Sequence, residues 1–255
     1  MKRLAGLLLL GCATWLAAAD VGQTLASGYT AFLEGRFDDA ASAYRYLAEL
    51  GIGGYETEAS QAIIARDAGK PDAALPLWLK ATLEDNAHGL VWNERAWAYL
   101  AEGRPKEARE AFLHAIDRST TTETQAEANL GLGLAALERS DPKEGMDPLR
   151  SALVQGPYVM PAASYETALT ALALGDKPAA MEYLRQGLLV DPLHLESLRL
   201  LARLYERVGD NRPAWQAYAR ILSFDPKDEE AAEAVKKLAR YITGDPETTM
   251  AVRRL

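Results

Sequence analysis

Thiols and imidazoles are nearly missing from this 255-residue chain: it has one cysteine and three histidines. The cysteine, Cys12, lies within the first nineteen residues, so a chain cut after Ala19 has no thiol at all. Disulfides, thiolate metal sites and cysteine nucleophiles are thereby excluded, and the fold must hold together by packing alone. No two of His88, His114 and His194 fall at helical ligand spacing, and no His-Glu-x-x-His stretch occurs. Each histidine therefore reads as a surface or interhelix residue. Ser119 and Ser151 have no base or oxyanion constellation that sequence reveals. Gly131-Leu132-Gly133 lacks the strand and phosphate loop of a nucleotide site and reads as a packing feature inside a helix. The expectation is a protein without cofactor or metal and without enzymatic activity.

Basic residues are outnumbered, 28 Lys and Arg against 36 Asp and Glu, for a net charge of −8. Such a chain repels phosphate backbones, which argues against nucleic acid as a partner. Aromatic residues make up only 8% and there are 12 prolines, a balance that favours helix over an all-β sandwich. With 49% hydrophobic and 25% charged residues, disordered and collagen-like chains are ruled out.

The start of the chain reads as an address. Lys2 and Arg3 precede an uncharged apolar run from Leu4 to Leu16, and Ala17-Ala18-Ala19 offers small residues for a signal peptidase. The reading adopted is a signal peptide over 1–19, cleaved before Asp20. Cleavage removes two cations and no acid, which makes the mature chain more acidic still. A lipoprotein is the alternative, with Leu9-Leu10-Gly11-Cys12 as the lipobox and Cys12 as lipid acceptor. An uncleaved anchor is a third reading, for which the apolar run is short. Export to the periplasm of a bacterium is expected, with a lipid-anchored envelope protein as the alternative. Any membrane association would come only through that signal or anchor.

The rest of the chain is a repeat. Gly28, Ala62, Ala96, Gly133, Ala168 and Ala202 stand 34, 34, 37, 35 and 34 residues apart. Twelve residues after each comes a second small residue: Ala40, Ala74, Ala108, Gly145, Ala180 and Ala214. Four residues later comes a large one: Tyr44, Trp78, Phe112, Leu149, Leu184 and Tyr218. Gly35, Gly69, Gly103, Gly175 and Gly209 mark the end of a first helix, where a left-handed residue closes the turn. Ser140 stands there in the fourth unit, whose turn needs another solution. Pro71, Pro105, Pro142, Pro178 and Pro213 mark the start of a second helix, where the missing N–H costs nothing, with Asp38 as N-cap in the first unit. The Thr-rich segment 119–125 reads as a loop holding three extra residues.

This pattern resembles the tetratricopeptide repeat (TPR) family. The third unit matches most fully through Trp92, Ala96, Tyr99, Gly103, Ala108, Phe112 and Ala115, and Pro192 and Pro226 supply the closing proline later. Thr24 and Glu58 depart from it, standing where the opening tryptophan belongs. The resemblance implies an all-α, right-handed superhelical solenoid of about six antiparallel helix pairs plus a C-terminal capping helix. The repeats are placed at 22–54, 55–88, 89–122, 123–159, 160–193 and 194–228, the cap at 229–243 and a tail at 244–255. Each pair buries one face alone and needs its neighbour for the other.

The resemblance also implies that first helices line a concave groove for a protein or peptide partner. Helical geometry places Tyr29, Phe32, Ile63, Asn93, Trp97, Leu134, Tyr165, Leu169, Arg199 and Arg203 on that face. The aromatic members are types that anchor interfaces, although packing between neighbouring first helices competes for the leucines. Arg199, Arg203 and Arg207 read either as a solvated face paired with Glu196 and Glu206, or as a positive groove end for an acidic segment. Leu25 and Tyr29 occupy places a carboxylate clamp would use, so an apolar helix or extended peptide fits better. The expected function is a binding scaffold or adaptor of the cell envelope. Alternatives are the scaffold arm of an envelope enzyme whose catalytic domain lies elsewhere, or a self-associating structural protein.

Overall fold

A computed structural model describes residues 19–83 and 87–242; the signal segment with Cys12, and the tail after 242, lie outside them. The described residues contain helices and no strand. The chain divides into two compact units, Met1–Arg139 and Ser140–Leu255, so the division falls inside the span read as the fourth repeat.

Unit 1 contains α1 (Ala19–Leu33), α2 (Phe37–Glu49), α3 (Gly54–Asp67), α4 (Pro71–Ala81), α5 (Gly89–Ala101), α6 (Pro105–Asp117) and α7 (Thr122–Glu138). Unit 2 contains α8 (Pro142–Gln155), α9 (Met160–Ala173), α10 (Lys177–Val190), α11 (Leu195–Val208), α12 (Asn211–Phe224) and α13 (Glu229–Ile242). Consecutive helices within each unit pack on one another across short turns, and α5 also packs on α7. The large residues of the repeat are the ones these contacts enclose: Tyr44, Trp78, Phe112, Leu149, Leu184 and Tyr218 are at most 2% exposed. Alanine faces them, so helices approach closely while one bulky side chain fills the space between. Around Trp78, for example, stand Ala59, Ala62, Ala74 and Ala81.

The turns follow from residue type. Gly35, Gly69, Gly103, Gly175 and Gly209 all have positive φ, between 68° and 85°. Ser140 needs no other solution: it adopts the same left-handed conformation, at φ 59°. A side chain there costs about 1–2 kcal/mol, part of which glycine would return to the flexible unfolded chain. Ser140→Gly is therefore expected to raise stability by about 1 kcal/mol, read as a higher urea midpoint at unchanged slope.

Two expectations about helix starts are corrected. Asp38 is not a cap: α2 begins at Phe37 behind Arg36, without a side-chain cap, and Asp38 lies in the first turn and pairs with Lys70 at 3.3 Å. The segment 119–125 is mostly helix, because Thr121 Oγ1 accepts from Thr124 N–H and starts α7 at Thr122. The extra residues lengthen that helix instead of looping out. Two histidines are caps, a role the sequence reading missed: His88 Nδ1 accepts from Leu90 N–H and His194 Nδ1 from Ser197 N–H. His114 lies against Trp92, with ring centroids 4.4 Å apart.

Candidate partner-binding surfaces

In unit 1 the residues placed on the first-helix face separate into three kinds. Tyr29 is exposed, at 40%. Phe32, Trp97 and Leu134 are half-buried. Phe32 meets Phe37 edge-on at 6.0 Å, and Trp97 meets the buried ring of Phe112 edge-on at 5.3 Å. Ile63 and Asn93 are corrections: Ile63 is 3% exposed and Asn93 0%. Ile63 belongs to the core beside Trp78. The Asn93 amide donates to Glu127 Oε2 at 3.0 Å, tying α5 to α7. The small residues that let helices approach also bring neighbouring first helices together, and that covers the part of the face holding these two side chains.

In unit 2, Tyr165 and Leu169 on α9 are half-buried. Tyr165 borders a cavity of about 250 Å³ with Leu195, Glu196, Arg199, Leu200 and Arg203 of α11. The two arginines do not pair with Glu196 and Glu206. Arg199 reaches Asp228 Oδ2 at 2.6 Å and Glu230 Oε2 at 3.0 Å. Arg203 grips Glu230 with two bonds of 2.8 Å, from Nε to Oε1 and from Nη2 to Oε2. Glu206 instead accepts from Lys237 Nζ and from the Tyr218 hydroxyl. Acids at the start of α13 suit the helix dipole, and Asp228 accepts from Ala231 N–H at 2.8 Å. Their second task, clamping arginines about thirty residues upstream, leaves no local signature.

The titrations follow from these contacts. Hydrogen bonds from Arg199, then from the Ala231 N–H, hold Asp228 below the usual carboxylate range. Its side chain is only 8% exposed. Burial pushes Glu166 up. Burial, then the charges of Glu166 and Glu196, raise the Tyr165 phenol, against the pull of Arg203. The Tyr218 phenol is pushed up to about 12, first by burial and then by Glu206 and Glu230. Among the described residues no group of three or more His, Cys, Asp or Glu could hold a metal ion. No helix among them is long and apolar enough to cross a membrane.

Helix pairs with alanine seams and half-buried aromatics on their first helices define a repeat protein that binds through surface, and comparison with known families agrees. The family model described as tetratricopeptide repeat matches residues 60–123 and 165–229, just over half of the chain. The chain belongs to the tetratricopeptide repeat family, whose fold serves as a protein-binding scaffold. Comparison with curated protein sequences finds no significant match. Among solved structures it is similar to PilW, described as a widely conserved type IV pilus biogenesis factor. Identity is 18% and the TM-score 0.70, over 86% of this chain and 100% of that one. PilF of Pseudomonas aeruginosa shares 19% identity at a TM-score of 0.67, over 84% of this chain and 95% of that one. YrrB, described as a TPR protein with an unusual peptide-binding site, shares 17% identity at 0.60, over 77% and 100%. Identities this low speak for the fold alone.

Proposed function

We propose that this protein is exported to the bacterial cell envelope and acts there as an adaptor, binding a protein or peptide segment on the first-helix faces of its units. The observation that carries the reading is Tyr165, a half-buried aromatic standing open beside a cavity between α9 and α11. Tyr29, Phe32 and Trp97 give unit 1 aromatic anchors of the same kind. Export is supported by Lys2, Arg3, the apolar run to Leu16 and the alanines before Asp20. A pilus biogenesis factor and a peptide-binding protein among the similar structures are in keeping with the role.

Crosslinking in the native envelope, followed by mass spectrometry, tests both halves. The captured protein is expected to begin at Asp20; a start at a lipid-modified Cys12 would move the reading to an anchored form. Trp97→Ala with Tyr165→Ala is expected to abolish capture while helical circular dichroism stays intact. Undiminished capture by the double variant would sink the surface assigned here.

A further inference from the structure

The cavity beside Tyr165 has a charge opposite to the one its arginines promise. Both guanidinium groups are turned to α13: Arg199 holds Asp228 and Glu230, and Arg203 holds both oxygens of Glu230. Two cations and two anions cancel there. Glu196, which lines the cavity and is largely exposed, is left over. Its contact is with His194 Nδ1 at 3.8 Å. The same nitrogen faces the Ser197 N–H at 3.3 Å and the Ser197 hydroxyl at 2.8 Å. Glu166, next to Tyr165 on α9, is half-buried, and among the described residues neither it nor Glu196 has a lysine or arginine partner.

The walls complete the description. Leu195, Leu200 and the Tyr165 ring supply apolar surface, and Glu196 supplies an anion at the rim. About 250 Å³ is below the roughly 300–1,000 Å³ of drug-sized sites, and it suits one long side chain. A lysine or arginine has the required form: an aliphatic stem for the leucines and a cationic head for the aromatic face and the Glu196 carboxylate. An acidic side chain would meet Glu196 at the rim, with Glu166 beside Tyr165 on α9, while the arginines are already occupied, and like charges brought together oppose binding.

We propose that this cavity receives an arginine or lysine side chain, so that the partner segment docking on unit 2 is basic. This rests on the reading of the chain as a peptide-binding adaptor and names the chemistry of its ligand. It is opposite in sign to the alternative sequence reading of a positive groove end for an acidic segment.

The test uses the chain from Asp20 to Leu255 and two short fluorescein-labelled peptides. One alternates leucine with arginine; its twin carries glutamate at every arginine position. Fluorescence anisotropy is expected to show saturable binding of the basic peptide, weakened by added salt, and none of the acidic one. Glu166→Gln with Glu196→Gln is expected to weaken the basic peptide about tenfold. The same change of net charge placed on exposed acids of α6 and α7, Glu110→Gln with Glu138→Gln, is expected to leave its affinity within about twofold. Equal weakening by both pairs would reduce the effect to bulk charge and overturn the proposal. Preference for the acidic peptide, or binding of neither, would overturn it too. In either case capture lost in the Trp97/Tyr165 variant would still uphold the adaptor reading, so the two failures are distinguishable.

Discussion

Trp78→Ala is expected to remove about 3–5 kcal/mol of stability. The indole is 1% exposed, and its neighbours in the core of unit 1 are Ala59, Ala62, Ile63, Ala74, Ala81 and Val91. Alanines cannot reorient to fill the space a missing indole leaves, so the cavity persists and its full cost is felt. Stability of a repeat array is near a sum of neighbouring interfaces, and Trp78 of α4 shares its cluster with residues of both α3 and α5. One substitution therefore weakens two interfaces together, against a total that for whole domains is about 5–15 kcal/mol. Urea unfolding followed by far-ultraviolet circular dichroism checks it, with Trp78→Phe expected to recover most of the loss because a ring still fills the centre. A loss under about 1 kcal/mol for the alanine variant would mean that α3, α4 and α5 do not enclose this side chain.

The same residue shows why the fold could be read from sequence and where that reading stopped. Small and large residues recur in phase because, within each unit, consecutive helices pack on one another with small residues around one large side chain. Hence Tyr44, Trp78, Phe112, Leu149, Leu184 and Tyr218, picked by spacing, are all fully enclosed. Glycine turns were legible for a similar local reason, since a left-handed residue leaves few choices; Ser140 shows that the geometry is kept even without glycine. The binding face was only partly legible. Periodicity says which way a side chain points from its own helix, but not how near the next helix comes. Ile63 and Trp97 hold equivalent positions one residue after the small one, yet Ile63 is 3% exposed and Trp97 is half-buried. Charge was the least legible part. Along α11, the sequence offers Arg199 and Arg203 only Glu196 and Glu206 as partners, and only the docking of α13 reveals Asp228 and Glu230 against them. The electrostatic sign of a surface depends on pairings between helices, which no local pattern records.

Gly131→Ala should be strongly destabilising, because it links the core to the binding face. A Cβ built at Gly131 would lie 2.1 Å from Phe112 Cζ, 2.4 Å from Cε1 and 2.5 Å from Cε2. The ring meets the α7 backbone end-on, and at 0% exposure it has no solvent to turn into. Alanine gains about 1 kcal/mol over glycine in helix propensity. Overpacking of a tight core costs about 1–3 kcal/mol and sometimes more, and overlap this deep belongs at the upper end. A net loss of about 2 kcal/mol is expected. Because Trp97 rests edge-on against the same ring, the displaced Phe112 should also move the indole, seen as a changed Trp97 contribution when spectra are compared with a Trp97→Phe background. Gly22→Ala is the control: nothing lies within 4 Å of its added methyl, so propensity alone acts and stability should hold or rise by up to about 1 kcal/mol. Phe112→Leu decides the mechanism. If the ring is what the methyl strikes, shortening it should make Gly131→Ala much less harmful in the double variant than in the single one, a coupling that independent sites do not show. Simple additivity of the two losses would mean that ring and backbone never meet, and would remove Gly131 as the reason α6 and α7 pack so closely around Phe112.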